Sequence, residues 1–396
     1  MPPTASNALI LQSGGCTPVL NRSLFGAAAE ALSRREIGAV YGARRGIEGL
    51  LKDDIIDLDL TSKPDWRRIA RLPAAALGTT RHSPKPEEIP AILVCLKRRG
   101  VRFLFIIGGN DSAATGNNLA AAAQSAGQAL SVVNIPKTID NDLVLTDHTP
   151  GYGSAARFIA VATLGAGLDA EAMSSAAPIT FIEVMGRDAG WLAASAALAK
   201  REERDAPHVL GLPEVPIEED AFIGKVEEAY HRHGFCVAVI AENVRGPGGR
   251  VFGGDTAPLW EDAFGHKYFT SPTLHLARVA AKRLKVRVRD EKPGTIQRSF
   301  IPSLSIVDSK EAEEAGRAAV RRAIAGESSV IVTLVRQGDS PYRCTTGSAP
   351  LDKVANAVRR LPDDYIDRAG HFVTGKFLTY ARPLIGPNLP APTRFS

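Results

Sequence analysis

The segment NIPKTIDNDLVLTDHTPGYGSAARF, 134–158, gathers a lysine, a threonine and two aspartates at the end of an apolar run. Asp140 and Asp142, at i and i+2, can divide two tasks. One accepts a proton from a substrate hydroxyl while the other holds Mg²⁺. Lys137 supplies a compact positive charge for a phosphate oxygen, and Thr138 a hydroxyl. A polar surface loop is the competing reading, and it leaves four useful groups at one strand end without a task. A second segment, GGNDSAATGNNLA at 108–120, puts two glycines before a small-residue helix, where backbone N–H groups can face an anion. Asp111 in it is either the helix's N-terminal cap or a carboxylate facing phosphate. The latter makes sense only with Mg²⁺ between the two, or as a device that excludes a ligand. A third segment, LQSGGCTPVLN at 11–21, leads through Gly14 and Gly15 into a helix near Pro18. It is an anion cradle or a tight turn with no ligand. In a fourth, EVMGRDAGWLA at 183–193, Arg187 follows Gly186 at a strand end. Its guanidinium can bind a moving phosphoryl group or pair with Asp188 at the helix start.

These groups need a frame. Short apolar runs at 8–13, 39–43, 55–60, 101–107, 130–135, 179–185, 208–212, 235–242 and 329–335 alternate with helix-period segments at 17–33, 86–99, 111–126, 154–169, 189–200, 217–232, 271–284 and 310–325. Several runs are apolar almost throughout, as strands buried on both faces are. The alternation predicts α/β layers of parallel-rich sheet, whose ligands sit at the carboxyl ends of strands beside helix N-termini. All four segments stand at such ends.

Composition narrows the partners. The 396 residues are 44% hydrophobic and 23% charged, which predicts a globular enzyme of one or two domains. A net charge of +5 is mild, its arginine pairs are scattered, and aromatics are only 6%, so nucleic acid is not an expected partner. Four cysteines, Cys16, Cys95, Cys236 and Cys344, form no metal or disulfide pattern. The first residues lack a signal-peptide pattern and no stretch approaches a membrane span, which predicts a cytoplasmic location without membrane contact.

From about residue 8 to about 362 the chain resembles the phosphofructokinase family. The resemblance rests on ordered motifs: SGGCTPVLN, GTTR at 78–81, GGNDS, PKTIDNDL, EVMGRDAGWLA, PE at 213–214, AEN at 241–243 and GTIQR at 294–298. It implies two Rossmann-like α/β layers with a cleft between them. It also implies Mg²⁺-dependent phosphoryl transfer to the 1-hydroxyl of fructose 6-phosphate. Asp140 would be the general base, with Asp142 beside it near Mg²⁺ and Thr138 touching sugar or phosphoryl oxygen. Arg187 would stabilise the phosphoryl group, with Arg81 reaching it. Met185, Gly186 and Glu242 would line the sugar. Arg298 and Arg289 would hold the 6-phosphate, Arg289 from a neighbouring subunit of a homodimer or homotetramer. Gly14 and Gly15 would cradle the donor.

ATP-using members carry glycine where Asp111 and Lys137 stand, whereas pyrophosphate-using members carry Asp and Lys. An Asp111 side chain places bulk and charge where a nucleotide's α-phosphate would lie, and Lys137 adds a cation for the leaving phosphate. Pyrophosphate is therefore the expected donor, with a reversible reaction. An ATP-dependent kinase and a catalytically silent regulatory member are the alternatives. Asn110 stands in place of the usual Asp, leaving Asp111 and Asp142 as the expected metal ligands. Pro178 and Thr295 stand where the ATP enzymes place an Arg and a His for the sugar phosphate, and Lys292 is a candidate substitute. The expected division is a donor domain, 1–150, rejoined by about 297–362, and a sugar-phosphate domain, 151–296. A C-terminal extension, 363–396, follows, whose Pro-rich end wraps the surface or is mobile.

Overall fold

A computed structural model describes residues 6–58, 66–252, 258–261, 265, 267–268, 270–387 and 389–394. Its strands run, in chain order, β1 (Ser6–Gln12), β2 (Ile37–Ala43), β3 (Ile55–Asp57), β4 (Val101–Gly108), β5 (Ser131–Pro136), β6 (Ile179–Val184), β7 (Val209–Gly211), β8 (Cys236–Ala241), β9 (Trp260–Glu261), β10 (Lys267–Tyr268), β11 (Val288–Glu291), β12 (Val330–Asp339), β13 (Tyr342–Pro350), β14 (Ile366–Asp367) and β15 (Phe372–Val373). The helices are α1 (Leu20–Leu32), α2 (Ile47–Leu51), α3 (Trp66–Ile69), α4 (Ile89–Arg98), α5 (Asn110–Ser125), α6 (Tyr152–Ala172), α7 (Trp191–Ser195), α8 (Glu219–His233), α9 (Pro272–Leu284), α10 (Ile306–Ile324), α11 (Leu351–Val354) and α12 (Gly375–Ala381).

Seven strands form one sheet in the order β13-β12-β5-β4-β1-β2-β3, and four form a second in the order β11-β6-β8-β7. The second is parallel throughout. In the first, only the edge pairs β2–β3 and β12–β13 are antiparallel. β9 pairs with β10 and β14 with β15 as short antiparallel ribbons. Period-two alternation along β4 and β5 sends Phe105, Ile107, Val133 and Ile135 to the face covered by α1 and α10. Leu104, Ile106 and Val132 go to the face covered by α4 and α5. Each such fully buried side chain contributes roughly 1.5–3 kcal/mol.

The expected runs all coincide with strands, although residues 59 and 60 of the run 55–60 lie outside the described residues. Within the two large sheets, two strands have no apolar run to announce them. β11 reads VRDE at a sheet edge, and β13 reads YRCTTGSAP, with most of its residues only partly covered. The end of the chain is more firmly seated than its prolines suggest. Phe377, Tyr380, Ala381, Leu384 and Ile385 are buried in the same apolar cluster as β6 and β8. Among the described residues, no helix is long and apolar enough to cross a membrane.

Candidate active site

The carboxyl ends of β1, β4, β5, β6 and β8 open on one cleft of about 360 Å³. Each wall follows from a local break in regular structure. After β1 the chain turns through Gly14, whose φ of 78° favours glycine. A side chain on Gly14 would begin 3.1 Å from Lys137 Nζ, and one on Gly15 would lie 2.6 Å from Arg298 Nη1. Both glycines are therefore held open by cations that approach the backbone closely. After β4, helix α5 begins at Asn110, with Gly109 as its cap and no side-chain capping bond, so Asp111 lies in the first turn and is not the cap. That turn, whose N–H groups have no helix carbonyl to bond, borders the cleft with Gly109, Asn110, Asp111 and Ser112.

After β5, Lys137 and Thr138 lead into the two aspartates. Thr138 Oγ1 accepts from the Asp140 backbone N–H at 3.1 Å. Asn141, between the carboxylates, has a φ of 57°, a left-handed conformation that asparagine tolerates better than most residues. That turn sends Asp140 and Asp142 into the same cleft. After β6, Gly186 and Arg187 both have positive φ, 131° and 51°. An arginine in that region costs roughly 1–3 kcal/mol. The bend lets Arg187 Nε approach Asp140 Oδ2 at 3.8 Å, while Asp188 bonds instead with Asn243.

Electrostatics divide the wall into cations and crowded acids. Lys137 is only 4% exposed, and burial lowers its pKa to about 8. Its Nζ donates to Gly15 O at 2.7 Å. Burial, then the charge of Asp140, raises Asp142 to about 6. Its Oδ2 accepts from Asn110 Nδ2 at 3.0 Å. Glu242 is raised to about 7 by burial and by Asp140, and it accepts from the Arg187 backbone N–H at 3.2 Å. The arginine's own proton is held more tightly, because Asp140, Asp142 and Asp111 outweigh its burial.

The cleft thus brings together Gly14, Gly15, Arg81, Asp111, Lys137, Thr138, Asp140, Asp142, Met185, Arg187, Glu242 and Arg298. Gly186 makes the bend behind them. Arg289 does not reach this cleft: it lies on β11, paired with Asp169 of α6. Glu183 lines the cleft as well and was missed in the sequence reading, although an acid inside the run ITFIEV is a signal in itself. It is buried and is satisfied by Ser271 and Lys292.

The sequence profile described as phosphofructokinase matches residues 7–323. This chain belongs to the phosphofructokinase family. A pyrophosphate–fructose 6-phosphate 1-phosphotransferase of Rhodospirillum rubrum is 38% identical over 388 residues, covering 96% of this chain and 95% of that relative. One from Xanthomonas campestris pv. campestris is 37% identical over 396 residues, covering 98% and 93%. The crystal structure of a pyrophosphate-dependent phosphofructokinase from Nitrosospira multiformis superposes with a TM-score of 0.89 at 32% identity, covering 99% of this chain and 94% of that one. The phosphofructokinase fold accounts for both sheets and for the cleft at their strand ends.

Proposed function

We propose that this chain transfers a phosphoryl group, reversibly, from pyrophosphate to the 1-hydroxyl of fructose 6-phosphate, giving fructose 1,6-bisphosphate and phosphate. One observation carries the choice of donor: the buried ammonium of Lys137 lies against the Gly14–Gly15 turn, on the same wall as Asp111. A short, highly charged anhydride gains from that cation, whereas a nucleotide meets the bulk and charge of Asp111. The names of the most similar relatives support the same reading.

Asp140 would take the proton of the 1-hydroxyl as its oxygen attacks the phosphorus. The bridging P–O bond breaks, and the leaving phosphate stays beside Lys137. Arg187, already next to Asp140, would follow the charge on the equatorial oxygens. Met185, Glu242 and Lys292 would face the sugar phosphate, and Arg298 would stand between it and the donor turn.

The residues present fit a divalent cation. Two carboxylates, Asp111 and Asp142, border the cleft, and the buried Asn110 Oδ1 has no hydrogen-bond partner among the described residues. Asp111 and Asp142 would hold Mg²⁺, whose charge would screen pyrophosphate oxygens from these acids. The seven-stranded layer, 1–150 with 297–362, would carry the donor, and the layer of 151–296 the sugar phosphate. Arg289, paired away from this cleft, would serve a neighbouring copy in a homodimer or homotetramer of a cytoplasmic enzyme.

The test is a donor comparison with fructose 6-phosphate and Mg²⁺. Pyrophosphate should support turnover and ATP should not. A larger kcat/KM with ATP would overturn the donor assignment. Asp111→Gly with Lys137→Gly should admit ATP weakly while pyrophosphate use falls.

A further inference from the structure

The turn that carries the two aspartates is held from behind by a part of the chain that lies beyond the family match at 7–323. Asn141 is fully buried, and its side chain is tied at both ends. Its Oδ1 accepts from the Thr149 backbone N–H at 3.1 Å, and its Nδ2 donates to the hydroxyl of Tyr380 at 2.9 Å. That hydroxyl also accepts from Arg359 Nη2 at 3.0 Å and donates to Asp147 O at 2.9 Å. It has one proton and two lone pairs, and all three are engaged.

Arg359 reaches the same turn by its backbone, whose N–H donates to Asp142 O at 2.7 Å. Its guanidinium lies 4.2 Å from the ring centre of Trp191, and its carbonyl accepts from Trp191 Nε1 at 3.0 Å. Trp191 opens α7, four residues after Arg187. One pair of residues therefore touches both the turn of the carboxylates and the helix behind the arginine.

We propose that Tyr380 and Arg359 are positioning residues for phosphoryl transfer, which hold the left-handed turn at Asn141 and thereby aim Asp140 and Asp142 at Arg187. The inference rests on the role given above to Asp140. Neither residue touches the cleft, so neither is a catalytic residue. A misplaced base lowers the rate while leaving ground-state contacts to substrate in place.

The experiment compares Tyr380→Phe in the otherwise unchanged chain and in Asp140→Asn, with steady-state kinetics and thermal melts. Phenylalanine keeps the ring that packs on Trp191 and removes only the hydroxyl. The expected result is a loss in kcat of roughly ten- to a hundredfold, with KM for pyrophosphate and fructose 6-phosphate unchanged. The loss should shrink severalfold in the Asp140→Asn background, where no base is left to aim and only the placement of Asp142 still matters. Asn141→Gly, whose backbone adopts a positive φ freely, is the second variant should Tyr380→Phe fold poorly, and the same kcat loss is expected of it. A lower melting temperature with kcat unchanged would reduce the pair to a structural role and overturn the proposal. So would a kcat loss that persists undiminished in Asp140→Asn. Full activity in Asp140→Asn alone would instead remove the base assignment, and the positioning role with it. The donor comparison reports separately on the overall reaction.

Discussion

The stretch 137–149 has two ends that treat charge in opposite ways. At the front, Lys137, Asp142 and the neighbouring Glu242 border an open cleft, with ionisation pushed toward neutrality to about 8, 6 and 7. At the back, Asp147 and His148 are locked into a network. His148 Nδ1 and Nε2 each lie 2.7 Å from a carboxylate oxygen, of Asp147 and Glu311, and Tyr342 donates to Glu311 at 2.6 Å. Burial alone would lower His148, but its two acidic partners hold it up at about 9. Burial would raise Asp147, but His148 and Arg336 hold it down at about 2. Both ends are shielded from water, so burial alone does not mark a site. At the front Lys137, Asp142 and Glu242 have no ion-pair partner among the described residues, as a site awaiting an anion and a cation should, while at the back Asp147, His148, Glu311 and Arg336 pair with one another.

Removing a front-end charge should therefore alter rate far more than folding. Arg187→Ala should lower kcat by roughly 10³-fold, the scale of a transition-state arginine. KM for both substrates should hardly change. Arg187→Lys should recover little of the loss, since a point charge cannot fork onto two oxygens. A raised KM for fructose 6-phosphate at constant kcat would reassign Arg187 to sugar binding. Asp140→Asn follows with a loss of at least ~10²-fold. Wild-type kcat in that variant would remove Asp140 from the mechanism.

The front end should also set the pH profile. Asp142 must be ionised to take up a cation, so kcat/KM at limiting Mg²⁺ should fall as pH drops through about 6. Lys137 must be protonated to meet the anionic donor, so kcat/KM for pyrophosphate should fall again as pH rises through about 8. Lys137→Arg stays charged and should lose the alkaline limb even at a lower rate. An alkaline limb unchanged in Lys137→Arg would show that another group sets it.

Much of the front end was legible in sequence because its residues cluster in ordered motifs at strand ends. Gly186 and Arg187, Asp140 and Asp142, and the two Gly-Gly turns each announce a break in regular structure. The strands buried on both faces were legible from their apolar runs. β11 and β13 were not, since edge strands covered on one side need no such run. The back end was equally hidden. Asp147 and His148 look like loop polarity until Glu311 and Arg336, well over a hundred residues away, come into contact with them. Tyr380 and Arg359 were missed for the same reason: Tyr380 stands just before the Pro-rich end expected to wrap the surface or be mobile, and Arg359 looked like one of the scattered arginine pairs. Pairing across the fold leaves no local pattern, whereas backbone turns at a cleft do.

The smallest expected effect separates the two ends most directly, because neutralising one acid in each should change stability in opposite directions. Asp142 rises from an ordinary 3.8 to about 6, so the folded state binds its proton more tightly than the unfolded chain does. Stability declines as pH rises through that window, and at pH 7 the buried carboxylate is a burden. Without Mg²⁺, Asp142→Asn should raise stability at pH 7 by about 1 kcal/mol while abolishing most activity. His148 rises from 6.5 to about 9, so its contribution is complete below about 6.5 and is lost as pH climbs through about 9. Glu311→Gln keeps an acceptor for Tyr342 but removes one of the two charges facing the imidazole. It should cost about 1 kcal/mol at pH 7 and bring the alkaline loss to lower pH, with kcat near normal. Denaturant melts between pH 5 and 10 measure both changes. If both variants moved stability in the same direction, the contrast between an uncompensated front and a paired back would fail.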